Sequence, residues 1–400
     1  YFIYGFCFDD WLYFFFMYWP QGHVLVFGDK QTAFSLLRGA TPFVQGSGLV
    51  ALEPAINGFT VQLQTRTNST AQRDYNFEKA SHGLQVDSRT ALNERALESY
   101  TYPGGFSDGR QGERLNGIAL EHHQTQARQA SGRSDQWSLR SGHFVAMVEH
   151  PNAAWNVQWL LTHIRHEGKQ PQVLEEYAAP LASERSDGFT QGYRNSFHAT
   201  PLEVTWRPQQ AYSKPRILGS QTARVTGPAG EEIHCDRYGR VKVLFHWDRL
   251  GESNDNSSCW LRVASNWAGD RYGSVTLPRV GMEVLVTFLE GDPDQPLICG
   301  CLINSVNRAP LDLPAHKTQS VFRSRSTPGG DGHNELRIED RNGNEQIYLH
   351  AQRDMAQHIE HDSRLQIDGK REETITGNSV KVFNAQEQLT VSGDREVRIN

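Results

Sequence analysis

Three pairs of residues have the type and spacing for chemistry: His163 with His166, Asp292 with Asp294, and Cys299 with Cys301. Imidazole or carboxylate pairs could ligate a metal, and paired thiols could act as nucleophiles. The histidines belong to the run HFVAMVEHPNAAWNVQWLLTHIRHEG, which also holds His143 and His150. Its dense apolar residues and central Pro-Asn predict two core strands around a turn. Residues three apart on a strand face opposite ways, so His163 and His166 do not converge on one ion. The aspartates lie in EGDPDQP, where Gly and two prolines are what a tight strand connection needs, so a turn is the better reading. Cys299 and Cys301 share a strand face across Gly300, but no neighbouring base would activate a thiol, and they are expected to be small apolar fillers.

With Cys7, Cys235 and Cys259 they make five cysteines, an odd number without CxxC spacing. That fits neither a disulfide framework nor a zinc site, and it points to folding in a reducing compartment. No G-x-S-x-G nucleophile elbow is expected, and the patterns H-E-x-x-H, G-x-G-x-x-G and G-x-x-x-x-G-K-[ST] are absent, which weakens an enzymatic reading. A glycosidase built on paired carboxylates leaves no local signature and stays as an alternative. No catalytic, cofactor or metal residue is assigned, and no cofactor is expected. Forty Lys and Arg against 46 Asp and Glu give a net charge of −6 over 400 residues, which is no footprint for nucleic acid.

The elements that would position these residues fall into blocks. The opening YFIYGFCFDDWLYFFFMYWP is apolar but split by Asp9 and Asp10, too short on either side for a membrane span, and lacks a basic n-region with a cleavage site. From about Gly22 to Arg207, alternating runs such as FTVQLQT mix with the helical-looking SRTALNERALESY, giving an α+β domain. Prolines 208, 215 and 228 mark a boundary near 210. Next come GRVKVLFHW, CWLRVAS, GSVTLPRVGMEVLVTFLEG and PLICGCLIN, at least four short strands without a helical period, which predict a small closed barrel of the OB type. Alternation puts Val284, Val286 and Phe288 on one face and Leu285, Thr287 and Leu289 on the other. Both faces are partly apolar, so the barrel's outside should also pack against something.

The last block repeats every eight residues: RLQIDGKR, EETITGNS, VKVFNAQE, QLTVSGDR, EVRIN. Ile367, Ile375, Phe383, Val391 and Ile399 fill one column, and Gly369, Gly377, Ala385 and Gly393 follow two positions later. Eight fits no helical period, but it fits a short strand plus a glycine corner. One such strip is too narrow to close a core, and three identical copies wound about an axis would bury the column. Lys370, Arg371, Glu372, Glu373, Asp394 and Arg395 would coat the outside.

Taken together, KPRILGSQTARVTGPAGEEIHCDRYGRVKVLFHWDRLG, the segment SSCWLRVAS to CLIN, the Tyr193, Asn195, Phe197, Pro201, Arg207, Pro208 junction, and LPAHKTQSVFRSRSTPGGDGHNELRIEDRNGNEQIYLHAQRD resemble the valine-glycine repeat protein G (VgrG) family of type VI secretion spikes, over roughly residues 20 to 400. The resemblance implies a mainly β, multidomain chain: a phage baseplate hub-like α+β domain (1–210), an OB-fold barrel (211–310), a neck (311–335), and the start of an intertwined trimeric β-helix or β-prism needle (336–400). It marks Asp236, Gly239, Arg240, Val241, Phe245, Trp247, Trp260, Arg262, Pro278, Arg279, Gly281, Gly291, Asp292 and Pro293 as the barrel signature. It further implies a homotrimer, a tube of haemolysin-coregulated protein, a PAAR-repeat tip protein, effector or adaptor proteins, and a target membrane at puncture. Such a protein would wait in the bacterial cytoplasm and be secreted on firing. A phage or other contractile-tail spike has the same architecture. The family's hub begins before the point where this chain starts, and Tyr1 to Pro20 does not resemble it, so an incompletely closed hub with uncovered apolar residues is expected.

Overall fold

The computed structural model describes residues 11–45, 53–90, 95, 97–170, 189, 191–209 and 213–398. It falls into two compact units, residues 1–229 with 233–302, and residues 230–232 with 303–400.

In the first unit, β1 (Tyr13–Trp19) and β2 (Gly22–Gly28) form an antiparallel hairpin. Alternation along β1 buries Tyr13 and Phe15 against Phe34, Phe144 and Leu160, while Phe16 stays exposed. The described part of the atypical opening is therefore a lid of aromatic residues over the sheet, and its inward side chains are covered. A six-stranded sheet follows, built from β3 (Ser35–Pro42), β4 (Ile56–Leu63), β8 (Arg128–Ser134), β9 (His143–Val148), β10 (Gln158–Lys169) and β11 (Gly192–Pro201), in the order β3-β9-β10-β11-β8-β4. Ile56, Leu139, Val145, Met147, Trp159, Leu161 and Phe197 form its core. Burying each such side chain contributes about 1.5–3 kcal/mol. Gly132 faces Phe197 across β8 and β11, where an added Cβ would stand 2.3 Å from the ring. Only a residue without a side chain lets that phenyl lie flat on the sheet.

A smaller sheet of β5 (Ser69–Asp74), β6 (Leu84–Arg89) and β7 (Glu98–Thr101) carries the single long helix among the described residues, α1 (Gly109–Ala127). Asp108 caps α1 by accepting the Gln111 N–H at 3.0 Å. Asn116, fully buried, fixes the helix to the sheet by donating to the Thr70 carbonyl and the Ser88 hydroxyl at 3.1 and 2.9 Å. The helix expected at SRTALNERALESY is absent from its described residues: Ser88 and Arg89 end β6, and Glu98 to Thr101 pair in parallel with β5. Ladder partners override helix propensity there, whereas the true helix is disguised by Gly109, Gly112 and Gly117.

The barrel consists of β12 (Gln221–Thr226), β13 (Lys242–Phe245), β14 (Arg262–Val263), β15 (Glu283–Phe288) and β16 (Pro296–Leu302), in the order β13-β12-β15-β16-β14. Val241 and Leu261 bridge the two outer strands and close it. Val284, Val286 and Phe288 point inward with Ala223, Val225, Val241, Val243, Leu261 and Ile298, as the alternation predicts. The strand Gln221–Thr226, between β13 and β15, was not among the expected segments, and GSVTLP forms no strand. Cys299 and Cys301 are not fillers: Ile298 takes the core position and both thiols are exposed.

The second unit opens with an antiparallel meander of β17 (Gln319–Arg323), β18 (Glu335–Glu339) and β19 (Gln346–His350). Residues 351–398 then run extended with no strand partner among the described residues. No described helix is long and apolar enough to cross a membrane.

Candidate assembly site

Backbone bends in the terminal strip fall at residues 352–353, 360–361, 368–369, 376–377, 384–385 and 392–393, a strict period of eight. Gly369, Gly377, Ala385 and Gly393 each occupy the second bend position. The strip is exposed throughout, but unevenly. Ile367, Ile375, Phe383 and Val391 are 45–55% exposed, whereas Leu365, Val380, Val382, Leu389 and Val397 are 62–83% exposed. One column is thus set apart by backbone geometry before any partner covers it. Ile399 lies outside the described residues.

The structure adds a turn that the sequence alignment omitted. Ile359, eight residues before Ile367, is 43% exposed and precedes the bend at Glu360 and His361. Its corner carries His361 rather than glycine, which hid it; the isoleucine spacing was the available signal. Between the corners, charges pair two residues apart, each pair along its own side of the strip: Lys370 with Glu372 at 2.8 Å and Arg371 with Glu373 at 3.0 Å. Such exposed pairs are worth about 0–1 kcal/mol and serve mainly as solvation. Among the described residues, no backbone N–H within 351–398 donates to another backbone carbonyl. The strip therefore offers both an uncovered apolar column and unladdered peptide groups.

Upstream of the strip, Glu335 is buried in the meander and held by Arg323 Nε, with His333 Nε2 at 3.6 Å and Arg337 Nη1 at 3.5 Å. The Arg323 hydrogen bond holds its carboxyl below the usual carboxylate range. Glu339 accepts from Thr318 Oγ1 at 2.5 Å and Gln319 Nε2 at 2.9 Å, which lowers its pKa to about 2.

The barrel signature residues have structural partners. Asp236 accepts the Tyr238 and Arg240 N–H groups at 3.0 and 2.9 Å and the Arg240 Nε at 2.7 Å, around Gly239 at φ +68°. Phe245 stacks between Trp247 and Phe288, and the Trp260 ring faces the Lys242 ammonium at 5.0 Å. Pro278 is buried, Arg279 accepts the Met282 N–H at 3.0 Å, and Gly281 donates to Val225 at 2.9 Å. Gly291 accepts from Ile217 at 2.8 Å, ahead of half-buried Pro293. Asp292 and Asp294 both meet Lys214 Nζ, at 2.9 and 2.7 Å. A fixed ammonium sits where a metal reading would have put a cation.

The histidines disperse as well. His163 meets His198 in a tilted ring contact at 5.9 Å, His166 bonds the Tyr193 hydroxyl, His150 packs on Phe43, and His143 is buried. Among the described residues, no three His, Cys, Asp or Glu side chains are grouped to hold a metal. One pattern was missed in the sequence: Gly105-Phe106-Ser107-Asp108-Gly109 fits G-x-S-x-G. Its Ser107 hydroxyl meets Gln111 at 3.5 Å, and Asp108 caps α1, so the string is a helix start.

Three family models match in succession: the phage tail baseplate hub over residues 9–172, the type VI secretion system/phage-baseplate injector OB domain over 230–302, and the bacteriophage T4 gp5 C-terminal trimerisation domain over 320–400. The type VI secretion system spike proteins VgrG4b and VgrG5 of Pseudomonas aeruginosa are 54% and 53% identical over 96% and 91% of this chain. The chain spans about half the length of these relatives, 48% and 46%. A protein of Vibrio cholerae serotype O1 named actin cross-linking toxin VgrG1 is 37% identical over 94% of this chain, which covers 34% of it. Hub, OB barrel and trimerisation strip in this order, at such identity along nearly the whole chain, show that it belongs to the VgrG family of type VI secretion spike proteins.

Proposed function

We propose that three copies of this chain wind their terminal strips into one needle, and that the assembly is a spike driven mechanically through a target membrane. The observation that carries this is the period-eight strip, whose apolar column and peptide groups are uncovered in the single chain. Three copies would bury the column along a common axis and turn free backbone groups into interchain ladders. Stiffness then comes from hydrogen bonds and packing, and no catalytic residue is needed. Ile367, Ile375, Phe383, Val391 and Ile399 would form the axis, with Gly369, Gly377 and Gly393 at its corners.

Family membership supports the rest of the reading: a seat on a tube of haemolysin-coregulated protein, a PAAR-repeat tip, effector or adaptor cargo, and passage from cytoplasm to the outside on firing. The family matches at the hub and OB barrel support such a seat. The test is delivery. A strain whose only copy of this spike carries Ile375→Asp should assemble no needle and release neither this protein nor the tube protein into the medium. Normal release from that strain would overturn the reading.

A further inference from the structure

The turn at Phe77–Lys79 belongs to the segment between β5 and β6, yet its side chains lie among barrel residues of the same compact unit. Asn76 ties the turn to its own side, accepting the Glu78 N–H at 2.9 Å and donating to the Ser107 carbonyl at 3.0 Å. From the barrel, the guanidinium of Arg240 lies 5.2 Å and that of Arg262 4.8 Å from the Phe77 ring centroid. Tyr238 meets the same ring edge-on at 5.6 Å. Arg240 also pairs with Glu78 at 3.3 Å, and Asp236 fixes the Arg240 side chain from behind at 2.7 Å. One phenyl ring is thus held by two cations and one aromatic edge, within the range where a ring's negative face attracts a guanidinium. Asp236 holds Arg240 from the barrel's own side, so the guanidinium is positioned before the Phe77–Glu78 turn meets it.

We propose that Phe77 and Glu78 are a clasp by which the barrel grips the hub, and that the signature arginines Arg240 and Arg262 serve this union rather than a ligand. Arg262 leaves a two-residue strand and Arg240 leaves an Asp-fixed turn. Neither side chain is in the barrel's apolar core. Under the spike reading, thrust entering at the hub would pass to barrel and needle through this clasp. That consequence rests on the reading; the clasp itself does not.

Hydrogen–deuterium exchange of the full chain tests it without any secretion assay. Arg262→Ala should speed exchange in peptides covering 72–80 at least threefold, across the interface from the substitution. Phe77→Ala should do the same in peptides covering 236–242. The double variant should add little to the larger single effect, because both remove one contact. Peptides from β9 and β10 should keep their native protection. If each substitution loosens only its own side, or if the two effects multiply, there is no clasp. Loosening that spreads equally into β9 and β10 also overturns it, since the turn would then support the hub's own fold.

Discussion

Val241 and Leu261 exchange both backbone hydrogen bonds, at 3.0 and 2.8 Å, and this single bridge turns an open five-stranded sheet into a closed barrel. Both side chains are fully buried. Leu261→Ala should lose about 2–5 kcal/mol of barrel stability through lost transfer energy and the cavity left behind. The urea midpoint, followed by fluorescence of the barrel tryptophans, measures it. An unchanged midpoint would mean that closure contributes little.

Arg207 joins three parts of the hub. Its Nε donates to Glu121 at 2.7 Å, its Nη1 to the Asp29 carbonyl at 2.6 Å, and its N–H to Thr125 Oγ1 at 3.0 Å. Arg207→Ala should cost about 2 kcal/mol, the scale of a charged hydrogen bond discounted for the partly exposed Glu121. Denaturation followed by the adjacent Trp206 would show the loss.

The meander should be acid-sensitive. Glu339 has its folded pKa lowered to about 2 from an ordinary value of 4.5, by the Thr318 and Gln319 hydrogen bonds. A depressed carboxylate pKa adds stability above the unfolded value, and that stability is lost as pH falls from 4.5 toward 2. Glu335 acts in the same direction through Arg323. Carboxyl NMR should find the Glu339 midpoint near 2, and Glu339→Gln should flatten the acid limb of stability. A midpoint near 4.5 would remove the argument.

If Ile359 belongs to the same column as Ile367, Ile359→Asp should weaken self-association as strongly as Ile375→Asp. Lys370→Ala, on the charged flank, should leave it unchanged. Sedimentation velocity at several concentrations separates these outcomes.

Much of this was legible because a period is a local property. The eight-residue column and the alternation of Val284, Val286 and Phe288 depend only on the residues themselves, and both reappear as bends and burial. The opposite facing of His163 and His166 followed from strand geometry alone. What escaped was set by distant partners. Gln221–Thr226 is a strand because it lies between β13 and β15. Glu98–Thr101 is one because β5 accepts it in parallel. The grip of Arg240 and Arg262 on Phe77 joins residues more than 160 positions apart, and no spacing rule could have paired them.

The central claim is that the strip needs two further copies of itself. Light scattering on a size-exclusion column, comparing the 45.2 kDa chain with its Ile375→Asp variant and with a version ending at Ala309, tests it most directly. The account predicts a mass three times that of the chain for the native protein, and its loss in both altered forms, because three carboxylates near one axis would be desolvated and mutually repelled. A stable, soluble monomer of the native chain, or a variant that still assembles, would contradict it.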